Sequence, residues 1–180
     1  MQRIMIIRHA EKPLPGRPDR SVCINGFHAK HELTVRGWQR AAALVRFFTR
    51  PDAHHPVSPP KSIFAATATT VSPSLRSQRT VEPLATALGL AIDLAHAEHE
   101  EADLAAAVLA AESPVLIAWH HHSIADLVQL LTQGAVASPA DWPDDRYDLV
   151  WTLDRETSDG PWTFQQAAQQ IFLHDRTDAA

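Results

Sequence analysis

The chain has 180 residues, 45% of them hydrophobic, which suffices for one domain that buries most of its apolar surface and is too little for two. Its formal net charge of −5, with no long basic stripe, argues against nucleic acid as a partner, although a few local arginines could still hold a compact anion in a pocket. Cys23 is the only cysteine, which excludes an intrachain disulfide and a thiolate metal cluster, and no segment approaches the ~20 apolar residues that span a bilayer.

The N-terminal run Met1 to Arg8 is too short for a signal segment and lacks a small-residue cleavage site, so a soluble cytoplasmic protein is expected. Within it, Ile4 to Ile7 is a continuous apolar stretch, the pattern of a strand covered on both faces in a parallel sheet, and it ends at Arg8-His9. Pro13 to Lys30 reads as a loop of a length that is usually functional in compact domains. Thr34 can cap a helix whose apolar positions Val35, Trp38, Ala42, Val45 and Phe48 fall at helical spacing; it stops before Pro51, and Pro51 to Pro60 is a second loop.

Ile63 to Ala66 is a second short strand. Ser72-Pro73 is expected to open a helix with Val81, Leu84, Ala85 and Leu88 on one face and Gly89 as its stop. Asp103 to Ala111 is helical by its alanine content, and Val115 to Trp119 is a third apolar strand. Ser123 and Asp126 have the form of a capping box opening a helix through Leu131. Gly134 to Arg146 is a loop that could fold over a site. Tyr147, Leu149, Trp151 and Leu153, then Trp162 and Phe164 beyond Asp159-Gly160, read as a hairpin-like pair. This order predicts a layered α/β domain over 1–180, with a mostly parallel sheet and antiparallel additions at an edge.

Ligands in open α/β sheets sit beyond the carboxyl ends of the strands. There the sequence supplies Arg8, His9, Ala10, Glu11 and Lys12 after the first strand, Arg76 and Arg79 after the second, and His120, His121 and His122 after the third, ahead of a helix N-terminus that favours an anion. Such a set suits phosphoryl transfer, where catalysis is mostly positioning and stabilisation of charge on oxygens. Arginine pairs two phosphate oxygens with its planar fork. A histidine between two arginines has its imidazolium form disfavoured and stays neutral and nucleophilic; a second can donate a hydrogen bond or shuttle protons. Adjacent histidines on one turn rarely aim at a single metal ion, and no His-Glu-x-x-His motif is present. Arg79 reads as a solvated helix arginine and Asp126 as a cap.

Ile6-Ile7-Arg8-His9-Ala10 resembles the Arg-His-Gly signature of the histidine phosphatase superfamily, also called phosphoglycerate mutase-like. Further segments follow in that family's order. Leu33-Thr34-Val35-Arg36-Gly37 resembles its Leu-Thr-x-x-Gly helix start, Arg76-Ser77-Gln78-Arg79-Thr80 its Arg-x-x-x-Thr element, and Val115 to Trp119 the strand that presents its second catalytic histidine; the C-terminal strand pair is similar to its last two strands. The resemblance implies a three-layer α/β/α sandwich and a phosphatase acting on a phosphomonoester or phosphoramidate. It implies that His9 is the phosphorylated nucleophile, that Arg8, Arg76 and a later histidine form the phosphate pocket, and that no metal or cofactor is needed.

Ala10 stands where the family has glycine, which implies that the backbone there needs no positive φ. Trp119-His120-His121-His122-Ser123-Ile124 fits a Trp-Glu-His-x-x-Ile variant that selects His121, the favoured reading, whereas a Ser-His-Gly form would select His120. Lys12, followed by Pro13 as in the acid-phosphatase-like branch, and His120 are further phosphate-binding candidates. The general acid is open among Glu98, Glu100, Glu11 and Asp126. The implied partner is a small phosphorylated substrate or phosphate ion, with no nucleic acid or membrane; oligomeric state is left open. A phospho-ligand binding module without turnover and, less favoured because of the short tail after Phe172, a phosphomutase are the alternatives. Every phosphomonoester presents the same dianion, so discrimination falls to the loops Pro13 to Lys30 and Gly134 to Arg146.

Overall fold

A computed structural model describes residues 1–16, 18–50 and 55–178. Four apolar segments form the parallel part of a six-stranded sheet of order β3-β2-β4-β1-β5-β6. These are β1 (Gln2–Arg8), β2 (Ser62–Ala65), β3 (Ile92–Asp93) and β4 (Val115–Trp119). β5 (Leu149–Arg155) joins β1 antiparallel, and β6 (Thr163–Ala168) joins β5 antiparallel. The expected mixed α/β sheet with antiparallel additions at one edge is therefore present. Strand β3, which the sequence reading lacked, is a two-residue edge strand with one apolar position, too short to show a period.

Strand β1 is central because it is apolar on both faces. Ile4 and Ile6 enter one core with residues of α3 (Glu101–Ala110) and α4 (His121–Thr132), whereas Met5 and Ile7 enter a second core with α1 (Val35–Thr49) and α2 (Arg76–Leu88). The helices thus cover both faces in three layers. Each fully buried aliphatic side chain contributes ~1.5–3 kcal/mol over its exposed form, so this double burial fixes which segment occupies the middle of the sheet.

Two helix starts differ from expectation. α2 begins at Arg76, not at Ser72-Pro73, because the Ser72 hydroxyl donates to Glu98 Oε2 at 2.6 Å and is spent on that carboxylate instead of a cap. α4 begins at His121, two residues before the expected box; Ser123 Oγ donates back to the His120 carbonyl, and Asp126 is exposed. The helix from Thr34 lies where the sequence predicts, α2 stops at Gly89 as expected, and the alanine-rich α3 begins two residues before the expected Asp103. Of the expected loop Pro51 to Pro60, residues 51–54 lie outside the described residues, as does residue 17 of the loop Pro13 to Lys30.

The Leu33-Thr34-x-x-Gly37 segment has a steric purpose. Thr34 Oγ1 accepts from Gly37 N at 3.1 Å as the N-cap, and Thr34 N and Oγ1 both donate to the Glu11 carbonyl at 3.0 and 3.1 Å. This draws α1 so close to the chain after β1 that a Cβ at position 37 would stand 2.6 Å from Glu11 O and 3.0 Å from Leu33 Cβ. In an open helix Gly→Ala stabilises by ~1 kcal/mol. Here the expected sign is reversed: Gly37→Ala lowers unfolding free energy by ~1–3 kcal/mol in urea melts, and an unchanged or higher midpoint would contradict this contact.

Candidate active site

Parallel pairing builds the site. β1 and β4 run in register with Arg8 opposite Trp119, and His9 N donates to the Trp119 carbonyl at 3.3 Å, so the residues that leave the two strands next are His9 and His120. Their ring centroids are 6.4 Å apart. His9 is 3% exposed and His120 8%. β5, antiparallel to β1, starts at the same sheet edge, and Tyr147 just before it lies with its ring 6.0 Å from that of His9.

The His9 tautomer follows from its partner. Nδ1 is 2.7 Å from the Ala10 carbonyl, which can only accept, so Nδ1 carries the proton and Nε2 keeps a lone pair. Ala10 is held in turn: its N–H donates to Thr80 Oγ1 at 2.7 Å, and Thr80 donates to the Arg76 carbonyl at 2.7 Å. Ala10 is not among the described residues with positive φ, as expected for alanine in place of glycine.

Arg8 and Arg76 flank the histidine without an ion-pair partner among the described residues. Arg8 Nη1 donates to the backbone carbonyls of Asp144 at 2.6 Å, Arg146 at 3.3 Å and Pro143 at 3.5 Å, and its guanidinium lies 4.1 Å from the Tyr147 ring centroid. Its Nε is buried with no hydrogen-bond partner. Arg76 donates through Nη2 to the Lys30 carbonyl at 2.8 Å and through Nε to the Glu32 carbonyl at 3.1 Å. By contrast Arg3, Arg40, Arg79 and Arg146 all pair with carboxylates. Arg79 binds Glu32 and Glu82, which keeps it out of the site.

The electrostatic consequence is a mutual depression of basicity. Burial, opposed by the Ala10 carbonyl and reinforced by Arg8, Arg76 and His120, holds the His9 imidazole well below its usual pKa. Burial and the two arginines also lower Lys12, which therefore belongs to the same field. His120 is lowered by burial against the pull of Glu98, and His121 by burial and Arg8 against its bond to Asp144.

His121 is bonded to the loop, its Nε2 2.7 Å from Asp144 Oδ1. His122 Nε2 is 2.6 Å from Glu98 Oε1. Of the acidic candidates, Glu98 stands beside this histidine group. Burial raises its carboxyl, but the Ser72 hydroxyl, His120 and His122 together hold it below the usual range. Glu100 caps the Ala97 N–H, Glu11 binds Arg36 and Arg40, and Asp126 is exposed on α4. Among the described residues no group of three or more His, Cys, Asp or Glu side chains is arranged to hold a metal ion, and no helix is long and apolar enough to cross a membrane. Tyr147, Asp144 and Ser72 have no site role in the sequence analysis, where only the loop Gly134 to Arg146 points toward Asp144, whereas His122 belongs to the histidine group read after the third strand.

No protein-family model and no curated protein matches the sequence. Solved structures do match. A mycobacterial glucosyl-3-phosphoglycerate phosphatase, determined with VO3, is 13% identical with a TM-score of 0.53 over 91% of this chain and 97% of that one. A chain described as a candidate phosphohistidine phosphatase, SixA, from Nakamurella multipartitia is 13% identical with a TM-score of 0.50 over 91% of this chain and 93% of that one. With six strands in this order and helices on both faces, the chain has the phosphoglycerate mutase-like fold of these proteins.

Proposed function

We propose that the protein is a metal-independent phosphatase that hydrolyses a phosphomonoester or phosphoramidate through a phosphohistidine on His9. The observation that carries this reading is the pair Arg8 and Arg76, fixed by backbone carbonyls and left without a carboxylate beside a histidine whose Nε2 is unprotonated. A carbonyl dipole orients a guanidinium without cancelling its charge, so the cluster is suited to a dianion. Both fold neighbours named above are described as phosphatases, which supports hydrolysis as the reaction class. The single cysteine fits a cytoplasmic setting.

In this reading His9 Nε2 attacks phosphorus in line with the leaving oxygen. Arg8, Arg76 and Lys12 stabilise charge on the equatorial oxygens, and the P–O bond to the leaving group breaks as that oxygen takes a proton. Water then attacks the phosphohistidine and gives its proton to the carboxylate left by the first step, as the P–N bond breaks, phosphate leaves and the Nε2 lone pair is restored. We assign the second histidine to His120, because it leaves β4 beside His9, and give His121 the role of tethering the loop through Asp144. We assign proton delivery to Glu98. Its carboxyl is held ionised without substrate, but a dianion in the pocket raises it by like charge, coupling protonation to substrate binding. The same ionised Glu98 favours a second reading, a phospho-ligand binding module without turnover.

Hydrolysis of an aryl phosphate in EDTA separates the two. Turnover should persist in EDTA, disappear in His9→Ala, and fall ~10²–10³-fold in His120→Ala against a smaller loss in His121→Ala. Full activity in His9→Ala would falsify the mechanism, and phosphate-competitive binding with no turnover in any buffer would establish the binding module.

The depressed histidines also set a pH dependence. The unfolded chain takes up protons at His9, His120 and His121 near pH 6.5, whereas the folded chain does so only lower, so stability is full above about pH 6.5 and is lost as pH falls toward the folded values. Thermal melts between pH 7.5 and 5.5 should therefore show a falling midpoint; a midpoint that holds or rises as pH drops would contradict the depressed histidines.

A further inference from the structure

A buried salt-bridge system joins α1 to the segment that follows His9 and to the C-terminal segment. Arg40 of α1 donates to both oxygens of Glu11 from Nε, at 3.0 and 3.1 Å, and to Glu11 Oε1 from Nη2 at 2.9 Å. On its other edge it forms a two-point pair with Asp175, Nη1 to Oδ2 at 3.0 Å and Nη2 to Oδ1 at 2.7 Å, and also reaches Gln169 Oε1 at 3.0 Å. The side chains of Arg40 and Asp175 are each 2% exposed. Asp175 Oδ2 further accepts from the backbone N–H groups of Ile171 and Phe172 at 2.9 and 3.0 Å, and the Phe172 ring lies under Arg40.

Glu11 is the residue that follows Ala10 and precedes Lys12. Ala10 supplies the carbonyl that fixes the His9 tautomer, and Lys12 belongs to the anion cluster. We infer that Asp175 is a positioning residue for this site: by fixing Arg40 it fixes Glu11, and through Glu11 the backbone that orients His9 and carries Lys12. A buried Arg40 left with Glu11 as its one carboxylate, beside the neutral Gln169, would shift toward Glu11 and carry the 10–12 segment with it. Displacements of about 1 Å near reacting groups can cost ~10²-fold in rate.

The kinetic arm of the test rests on the phosphatase reading, and the spectroscopic arm does not. Asp175→Asn, which keeps the shape and removes the charge, is compared with Asp175→Ala and with Phe48→Leu, a core change at the far end of α1 that serves as a control for lost stability. Each is measured for thermal midpoint, for kcat and KM on an aryl phosphate, and for the His9 ring by two-dimensional NMR, in which the Nδ1–H tautomer has a distinct nitrogen pattern. The expected result for folded Asp175→Asn is a kcat reduced ~10-fold or more and altered His9 ring resonances, with Phe48→Leu unchanged in both. A folded Asp175→Asn with wild-type His9 resonances overturns the inference, as does a kcat loss no greater than that of Phe48→Leu. Should Asp175→Ala fail to fold, the Asn variant decides. If the wild type itself turns over nothing, the phosphatase reading has failed and the His9 resonances alone decide this one.

Discussion

Parallel pairing between β1 and β4, in the register that sets Arg8 against Trp119, is the constraint on which the rest depends. Neighbouring strands lie ~4.8 Å apart, so the first residues past their ends are brought together by the sheet itself and need no loop to find each other. The antiparallel partner β5 begins where β1 ends, which delivers Tyr147 and the loop before it to the same edge. Apolar burial on both faces of β1 holds the register, because a slip of one residue would exchange Ile4 and Ile6 with Met5 and Ile7 between the two cores and move His9 away from His120.

The arginines divide into two kinds by what satisfies them. Arg40 and Arg146 are buried against carboxylates, where they hold segments together and expose no net charge. Arg8 and Arg76 are satisfied by carbonyl oxygens, which fix their geometry and leave their charge in place. One residue type thus serves as internal cross-link and, in the proposed function, as anion receptor, and the acceptor chemistry distinguishes the two. The aromatic face of Tyr147 over Arg8 belongs with the second kind, since it packs a guanidinium without neutralising it.

Much of this was legible in the chain. Continuous apolar runs mark β1 and β4, and the residues at the strand ends point to Arg8, His9, Arg76 and the His120 to His122 group from the sequence alone. What stayed hidden has physical reasons. The helix starts were misread because a serine hydroxyl that could cap a helix can equally donate to a distant carboxylate, as Ser72 does to Glu98. Strand β3 has too few residues to show a period. Choosing between His120 and His121, or among four carboxylates, depends on which side chains the strand register turns toward His9, and no local spacing reports that. Tyr147 and Asp175 lie more than a hundred residues from the groups they touch, Arg8 and Arg40, and neither sits in a distinctive local pattern.

The carbonyl-held arginines have one more consequence. A pocket that stays cationic when empty attracts inorganic phosphate by the same contacts that attract a substrate, and gains stability from holding it. If the proposed hydrolysis holds, phosphate is also the product, and in a phosphate-rich solution the site would rest with it bound. Turnover would then depend on how readily phosphate departs, and the loop carbonyls of Pro143, Asp144 and Arg146 that grip Arg8 would bear on that step. Under the proposed hydrolysis, the charge that holds a substrate would also hold its product, so affinity and release would pull against each other in one pair of guanidinium groups.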